Sequence, residues 1–307
     1  MNKKCIPHII AVGAFVVFIV LGLASATSPD VKNVASIDEL TSIRDKFAWL
    51  NSNAETGGNY ILEVNANSTV GSMSNYAVNL SYKDKNNITI TLKGVGGKRT
   101  ISSYQKSGIF NIGSGVTLIL DENVHLQGIA NGSAIDKLVA AVRVSSGGTL
   151  IMNEGSSISG NLSYQDGGGV YVATGGTFIM NGGLISENFC FQVQDQALVM
   201  ATDGKSNAFS ETPRRGGGVF IDVEGTFTKT GGTITGFGDK TGNFTRTFNN
   251  LDFSQNNGHA VFAALGTPGS GIFASRITGS KRKETTAGPD VNFSINSNGS
   301  FSGDWDF

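Results

Sequence analysis

The side chains best able to do chemistry in this chain are few and scattered. Beyond residue 26 there are two histidines, His125 and His259, and one cysteine, Cys190. A histidine can act as a general acid or base, or as a zinc ligand, but either role needs further polar groups converging on it. His125 and His259 lie far apart in the chain, so each is expected to be a surface or corner residue. Cys190 stands between Phe189 and Phe191, the setting of a small buried hydrophobe, with a thiol free for intermolecular pairing as the alternative. No Gly-x-Ser-x-Gly, Walker or His-Glu-x-x-His pattern occurs, nor does the Gly-Gly-x-Gly-x-Asp calcium repeat. Asp166, just before Gly167, reads as turn chemistry rather than as a metal ligand. Neither a cofactor nor a metal is expected. The remaining candidates are Arg143, Tyr171, Phe220 and Phe262. Each is the middle residue of a hydrophobic tripeptide: Val142-Arg-Val144, Val170-Tyr-Val172, Val219-Phe-Ile221 and Val261-Phe-Ala263. Rings exposed at a regular spacing can stack on sugar rings or on an apolar patch of a partner, unless loops fold over them.

What positions these residues is an internal repeat. Four segments align: Gly115-Val-Thr-Leu-Ile-Leu-Asp121, Gly148-Thr-Leu-Ile-Met-Asn153, Gly176-Thr-Phe-Ile-Met-Asn181 and Gly225-Thr-Phe-Thr-Lys-Thr230. Their anchor threonines are Thr117, Thr149, Thr177 and Thr226, at spacings of 32, 28 and 49. The first three hydrophobic tripeptides precede the last three of these segments, and the fourth, Val261-Phe-Ala263, comes later. Leu126-Gln-Gly128, Ile158-Ser-Gly160, Ile185-Ser-Glu187 and Ile234-Thr-Gly236 follow the four segments in turn. Each unit is therefore strand, glycine turn, strand, glycine turn, strand, then a variable loop.

Three short strands per unit, with glycine corners, predict an all-β chain folded as a single-stranded right-handed parallel β-helix with an N-terminal capping helix. No strand of this length buries a face alone, so the coils must stack. Alternation sorts the side chains. Val142/Val144, Val170/Val172, Val219/Ile221 and Val261/Ala263 should point inward, together with Leu118/Leu120, Leu150/Met152 and Phe178/Met180. Asp121, Asn153 and Asn181 fall at one corner, where amides can bond from coil to coil and left-handed geometry is tolerated. Lys229 interrupts the inward row and is expected to snorkel outward or to mark a distorted coil. Ser36-Ile-Asp-Glu39 fits a capping box, and Leu40, Ile43, Phe47 and Leu50 keep helical spacing, so residues 36–51 are assigned to the capping helix.

The chain is 307 residues long with a net charge of -1, a balance that argues against nucleic acid as a partner. Charged residues are 15%, against about 25% in ordinary globular domains. Glycine is plentiful, at 42 residues, but proline is only 5, which excludes a collagen-like or proline-rich chain. Residues 1–26 are expected to form a signal peptide: Lys3 and Lys4, an uncharged stretch from Ile9 to Leu23, then Ala24-Ser25-Ala26. That stretch is shorter than the ~20 residues of a membrane helix, so no span is expected after cleavage, an uncleaved anchor being the alternative. Residues 27–307 then form one β-helix domain, with the clearest repeats over 85–265 and a C-terminal cap over 266–307.

The Gly-Gly-Gly-Val and Gly-Thr-Phe-Ile-Met-Asn-Gly-Gly units resemble secreted and surface β-helix repeat proteins of bacteria. These belong to the pectate-lyase-like superfamily and include adhesin-like proteins, autotransporter passengers and polymorphic outer-membrane proteins. Gly167-Gly-Gly-Val170 and Gly216-Gly-Gly-Val219 look like one signature of the last group. Ile158-Ser-Gly-Asn161, Ile185-Ser-Glu-Asn188 and Phe253-Ser-Gln-Asn256 look like the other. The resemblance implies a body exported to the outer surface of a bacterium, or secreted, without its own translocator barrel. It points to adhesin-like binding of a host-surface protein or glycan. Variable loops at about 128–140, 161–167, 188–215 and 237–258 would form the binding edge, with Arg143, Tyr171, Phe220 and Phe262 as candidate binding residues. A β-helix lyase or hydrolase would instead need carboxylates stacked on an outer face. The outward row Ser145, Ala173, Asp222, Ala264 offers only one, and Ile119, Ile151, Ile179, Thr228 offers none. A carbohydrate-active enzyme and a passive structural protein stand as the alternatives.

Overall fold

The computed structural model describes residues 31–33, 42–70, 77–103, 108–128, 139–191, 214–236, 242–246, 259–264, 271–274, 277–278, 293–295 and 301–302. The expected signal peptide, Phe253-Ser-Gln-Asn256 and most of the long loops lie outside these residues. The chain is mostly β, with one helix among the described residues. Its short strands fall into three large sheets. Within one repeat the chain passes through Val142–Val144, Thr149–Met152 and Ser157–Ser159 in turn, so the sheets are called leading, middle and trailing. Up to the last coil, the strands of each sheet pair in parallel with their equivalents one repeat before and after. Val142–Val144 lies between Phe110–Ile112 and Val170–Val172, Thr149–Met152 between the Thr117 and Thr177 strands, and Ser157–Ser159 between the His125 and Leu184 strands. Successive visits to the same three parallel sheets are compatible with a parallel β-helix.

The column inside is made as the alternation requires. Val142, Val144, Val170, Val172, Val219, Ile221, Val261 and Ala263 are fully buried, as are Leu118, Leu120, Leu150, Met152, Phe178 and Met180. Like stacks on like: the Phe178 and Phe227 rings lie 4.7 Å apart and within 8° of parallel. Lys229 departs from expectation. It pairs in register with Met180, is fully buried, and donates from Nζ to the Gly232 carbonyl at 2.8 Å. The alkyl stem fills the slot that Met180 occupies one coil earlier. The ammonium then ends at a corner carbonyl rather than in solvent.

The corners are set by left-handed backbone. Before the middle strand the positive φ falls on Asn87, Gly115, Gly147, Gly175 and Glu224 in successive coils. Gly147 and Gly175, both at +71°, sit where an L side chain is strained, and Glu224 tolerates the same turn at +63°. After the middle strand the left-handed residues are Asn123, Gly155 and Gly183. They lie two positions beyond Asp121, Asn153 and Asn181, which had been expected to supply the left-handed geometry themselves. Those three form the expected ladder: Asn153 Nδ2 donates to Asp121 Oδ1 at 3.4 Å, and Asn181 Nδ2 to Asn153 Oδ1 at 3.2 Å.

A fourth, three-stranded parallel sheet was not anticipated. Leu162–Ser163, Phe189–Phe191 and Phe244–Arg246 pair where the variable loops had been placed. It is led by a second ladder, wholly buried, of Asn161, Asn188 and Asn243. The backbone N–H of Asn161 donates to Asn188 Oδ1 at 3.2 Å, and that of Asn188 to Asn243 Oδ1 at 2.9 Å. The side-chain amides donate to backbone carbonyls: Asn161 bonds Val139 and Gly168, Asn188 bonds Ile158, and Asn243 bonds Ile185 and Thr235.

The helix runs Ile43–Asn53 rather than over 36–51. Its N-cap is Ser42, which accepts from the Asp45 N–H at 3.1 Å and donates to Asp45 Oδ2 at 2.7 Å. Two Ser-x-x-acid sequences compete for the cap, and the one adjoining Ile43 forms it; Ser36, Glu39 and Leu40 lie outside the described residues. Ile43, Phe47 and Leu50 are buried, and Phe47 packs its ring 5.4 Å from Phe110, so the helix covers the first coils. At the other end the pairing reverses. Gly271–Ala274, Ile277–Thr278 and Phe293–Ile295 lie antiparallel to the last leading, trailing and middle strands, and Phe301–Ser302 is antiparallel to Phe293–Ile295.

Candidate functional site

The four candidate binding residues stand in one row on the leading sheet. Arg143 pairs with Tyr171, Tyr171 with Phe220, and Phe220 with Phe262. The Arg143 guanidinium lies 4.5 Å from the centre of the Tyr171 ring. Tyr171 and Phe220 are 5.3 Å apart, and Phe220 and Phe262 are 5.8 Å apart at 7°. These rings are absent from the central apolar column, as their outward alternation requires.

The row is nevertheless only half open. Phe220 and Phe262 are 2% and 4% exposed, whereas Arg143 is exposed and Tyr171 half-buried. The cover is Arg215, whose guanidinium lies 5.1 Å from the Phe220 ring and 4.9 Å from the Phe262 ring. Asp166 holds Arg215 in place. Its carboxylate accepts from the Arg215 backbone N–H at 2.7 Å and from Nη2 at 2.9 Å. Phe220 and Phe262 thus fall to the alternative in which returning chain folds over the rings, and of the four only Arg143 and Tyr171 reach the surface. Asp222, the lone carboxylate of the neighbouring outward row, accepts from the Tyr171 hydroxyl at 2.8 Å. Burial and then this bond push the phenol up to about 12, so it stays a neutral donor at ordinary pH.

The other chemical candidates are enclosed. His125 is 7% exposed, with Nδ1 2.8 Å from Ser157 Oγ and Nε2 3.5 Å from Ser159 Oγ. Burial, with Lys98 adding to it, lowers its pKa to about 4, so the ring is neutral at physiological pH. His259 is fully buried and accepts from the Thr245 N–H through Nδ1 at 3.2 Å. Cys190 sits on the inward side of the fourth sheet in register with Ser163 and Thr245, as a buried small residue, and its thiol contacts the Arg215 carbonyl oxygen at 3.4 Å. Burial drives its pKa well up, which suppresses the thiolate that nucleophilic chemistry requires. Among the described residues no three His, Cys, Asp or Glu side chains gather where they could hold a metal ion.

Sequence reasoning missed the Asp166–Arg215 clasp and the buried Asn161–Asn188–Asn243 ladder. A signal for the ladder was present: an Asn followed by Leu or Phe and then by the small residues Ser163, Cys190 and Thr245.

Lys229 supplies a pH-dependent test of the interior. Its ammonium has an ordinary pKa of 10.5 and is held down to about 8 by burial. Between these values the unfolded chain keeps the proton and the folded chain releases it. Stability is therefore expected to be flat below about pH 8 and to rise towards pH 10.5, by at most about 3 kcal/mol. Lys229→Met should abolish that rise and add roughly 1–3 kcal/mol at neutral pH, since the apolar chain needs no desolvation. Denaturant titrations of both proteins across this range measure the difference. An unchanged slope in the variant would contradict the burial of this amine.

Among the described residues no helix is long and apolar enough to cross a membrane. No family model matches the chain, and neither a curated protein nor a solved structure matches it.

Proposed function

We propose that this chain is a non-enzymatic right-handed β-helix protein, secreted or held at the outer surface of a bacterium, that binds a host-surface protein or glycan in the manner of an adhesin. The fold assignment draws support from the repeated parallel strands and from the resemblance of its units to surface β-helix repeats. The observation that carries the binding reading is the Arg143–Tyr171 pair. An exposed guanidinium is stacked at 4.5 Å on a half-buried ring that is itself backed by Phe220 and tied to Asp222, so its outer face and its N–H donors are presented in a fixed orientation. That combination suits a sugar ring or a polar peptide patch. Arg215, Phe220 and Phe262 act as its rigid backing rather than as contacts.

Screening the mature protein against glycan and extracellular-matrix arrays tests the reading. Tyr171→Ala and Arg143→Ala should each reduce retention by about tenfold, the loss of roughly 1.4 kcal/mol of contact energy, while both variants stay folded. Phe220→Ala should lower stability by about 3 kcal/mol, because it empties a sealed position. Retention unaffected by either exposed substitution would remove the Arg143–Tyr171 edge from the binding account.

A further inference from the structure

The outer face of the middle sheet is more regular than any other surface of the described residues. Thr89, Thr117, Thr149, Thr177 and Thr226 stand in direct register on five consecutive strands. Two residues along each strand runs a second row: Thr91, Ile119, Ile151, Ile179 and Thr228. All ten are half-buried and none carries a charge.

The threonine hydroxyls are also unclaimed. No hydrogen bond joins the side chains of Thr89, Thr117, Thr149, Thr177 or Thr226 to a protein partner among the described residues, and none of them belongs with the residues whose contacts lie beyond these. The neighbouring polar rows behave differently. Asp121, Asn153, Asn181 and Thr230 close on one another along their corner. On the trailing sheet, Thr69 bonds Ser102 and His125 bonds Ser157. The threonine row instead presents its aligned hydroxyls to the outside. β-Branching restricts χ1, and side chains stand roughly perpendicular to a sheet, so both the hydroxyls and the methyls are held in ranks. The ranks repeat every ~4.8 Å across strands and every ~6.6 Å along them.

We propose that this face binds ice. Ice is an uncharged, periodic lattice of hydrogen-bond donors and acceptors, with repeats on the scale of these two spacings. Hydroxyls fixed at such intervals hold their first waters at lattice-like positions, and the intervening methyl and isoleucine groups prevent that layer from being solvated in other arrangements. Charge complementarity selects the occupant. A fixed ion would have to bring its hydration shell into the crystal, and none of these ten positions carries one; the nearest, Lys93, stands one row further along its strand and is paired with Glu122 at 2.9 Å. No single contact need be strong, since five strands engage the same rigid surface together. A second copy of the chain is a poorer occupant. Counting the Asn59 strand, which extends the array to six, the face is ~24 Å long and ~10 Å wide. Roughly 250 Å² is well short of the ~800 Å² per partner in a stable interface. The proposal does not depend on the Arg143–Tyr171 reading, which concerns a different sheet.

The test is ice growth in the presence of the purified mature chain, watched in a nanolitre osmometer. The wild type should facet ice crystals and hold them without growth below the melting point. Thr149→Lys and Ile151→Lys, at the centre of the two rows, should each reduce that freezing gap about tenfold, because one ammonium interrupts the array on both sides. Their melting temperatures should stay close to the wild type, since both positions face outward. Tyr171→Ala should leave the gap unchanged. Round crystals and no gap with the wild type would overturn the proposal. So would a full gap in both lysine variants, or a wild-type dimer in sedimentation that the lysine variants split, which would assign the face to a second copy.

Discussion

Phe178→Asp should abolish the folded state. Phe178 is fully buried, in register between Leu150 and Phe227, with its ring stacked on Phe227 at 4.7 Å. The substitution removes that stacking and places a carboxylate in a fully buried apolar column. Losing a buried aromatic costs about 3–5 kcal/mol, and burying an unpaired charge adds several more. The sum rivals the whole stability of a typical domain, 5–15 kcal/mol. Far-ultraviolet circular dichroism and denaturant midpoints measure the outcome, with Phe178→Leu as a milder control expected to cost about 1 kcal/mol. An aspartate variant with the wild-type midpoint would mean that this residue does not face the interior.

Asn188→Ala should cost about 3–5 kcal/mol although Asn188 is no member of the apolar column. Asn188 is the middle member of the buried ladder. Its Oδ1 accepts the Asn161 backbone N–H, and its Nδ2 donates to the Ile158 carbonyl and to Asn243 Oδ1. Alanine leaves the buried Asn161 N–H unpaired, at about 1–3 kcal/mol, removes the two bonds that Nδ2 donates, at about 1 kcal/mol each, and opens a small void. Asn188→Asp keeps the shape but loses the donor and buries a charge, so it should do no better. A urea titration distinguishes the cases, with an unchanged slope reporting an intact unfolded reference. A loss below about 1 kcal/mol in the alanine variant would show that the ladder is dispensable.

The parts of the molecule legible in the sequence are those that recur with a period. Val142, Leu150, Phe178 and their equivalents alternate with polar or solvent-facing residues in every repeat, and such alternation reports directly which side of a strand faces inward. The Asp121–Asn153–Asn181 ladder was legible for the same reason, because three like residues share one offset. Contacts made once carry no period and were missed. Alternation places Phe220 and Phe262 on the outer face, but it says nothing of Arg215, which arrives from a long connection to cover them. The fourth sheet is not legible because Asn243 follows Ile234 by nine residues, whereas Asn161 and Asn188 each follow their isoleucine, Ile158 and Ile185, by three. Lys229 does not snorkel outward, because its four-carbon stem packs as a methionine would and its amine finds the Gly232 carbonyl, a partner that no repeat announces.

The stacking itself can be measured with pairs of spin labels on cysteines introduced at the threonine row, leaving Cys190 unlabelled because it is sealed. Thr89 and Thr149 are 60 residues apart, and Thr149 and Thr226 are 77 apart, yet each pair is separated by two strands of one sheet. Dipolar broadening should give both pairs the same backbone separation, ~10 Å, and should give Thr89 with Thr226 about twice that. Separations that follow the number of intervening residues instead, with the 77-residue pair well beyond the 60-residue pair, would contradict a chain that returns to one column at every repeat.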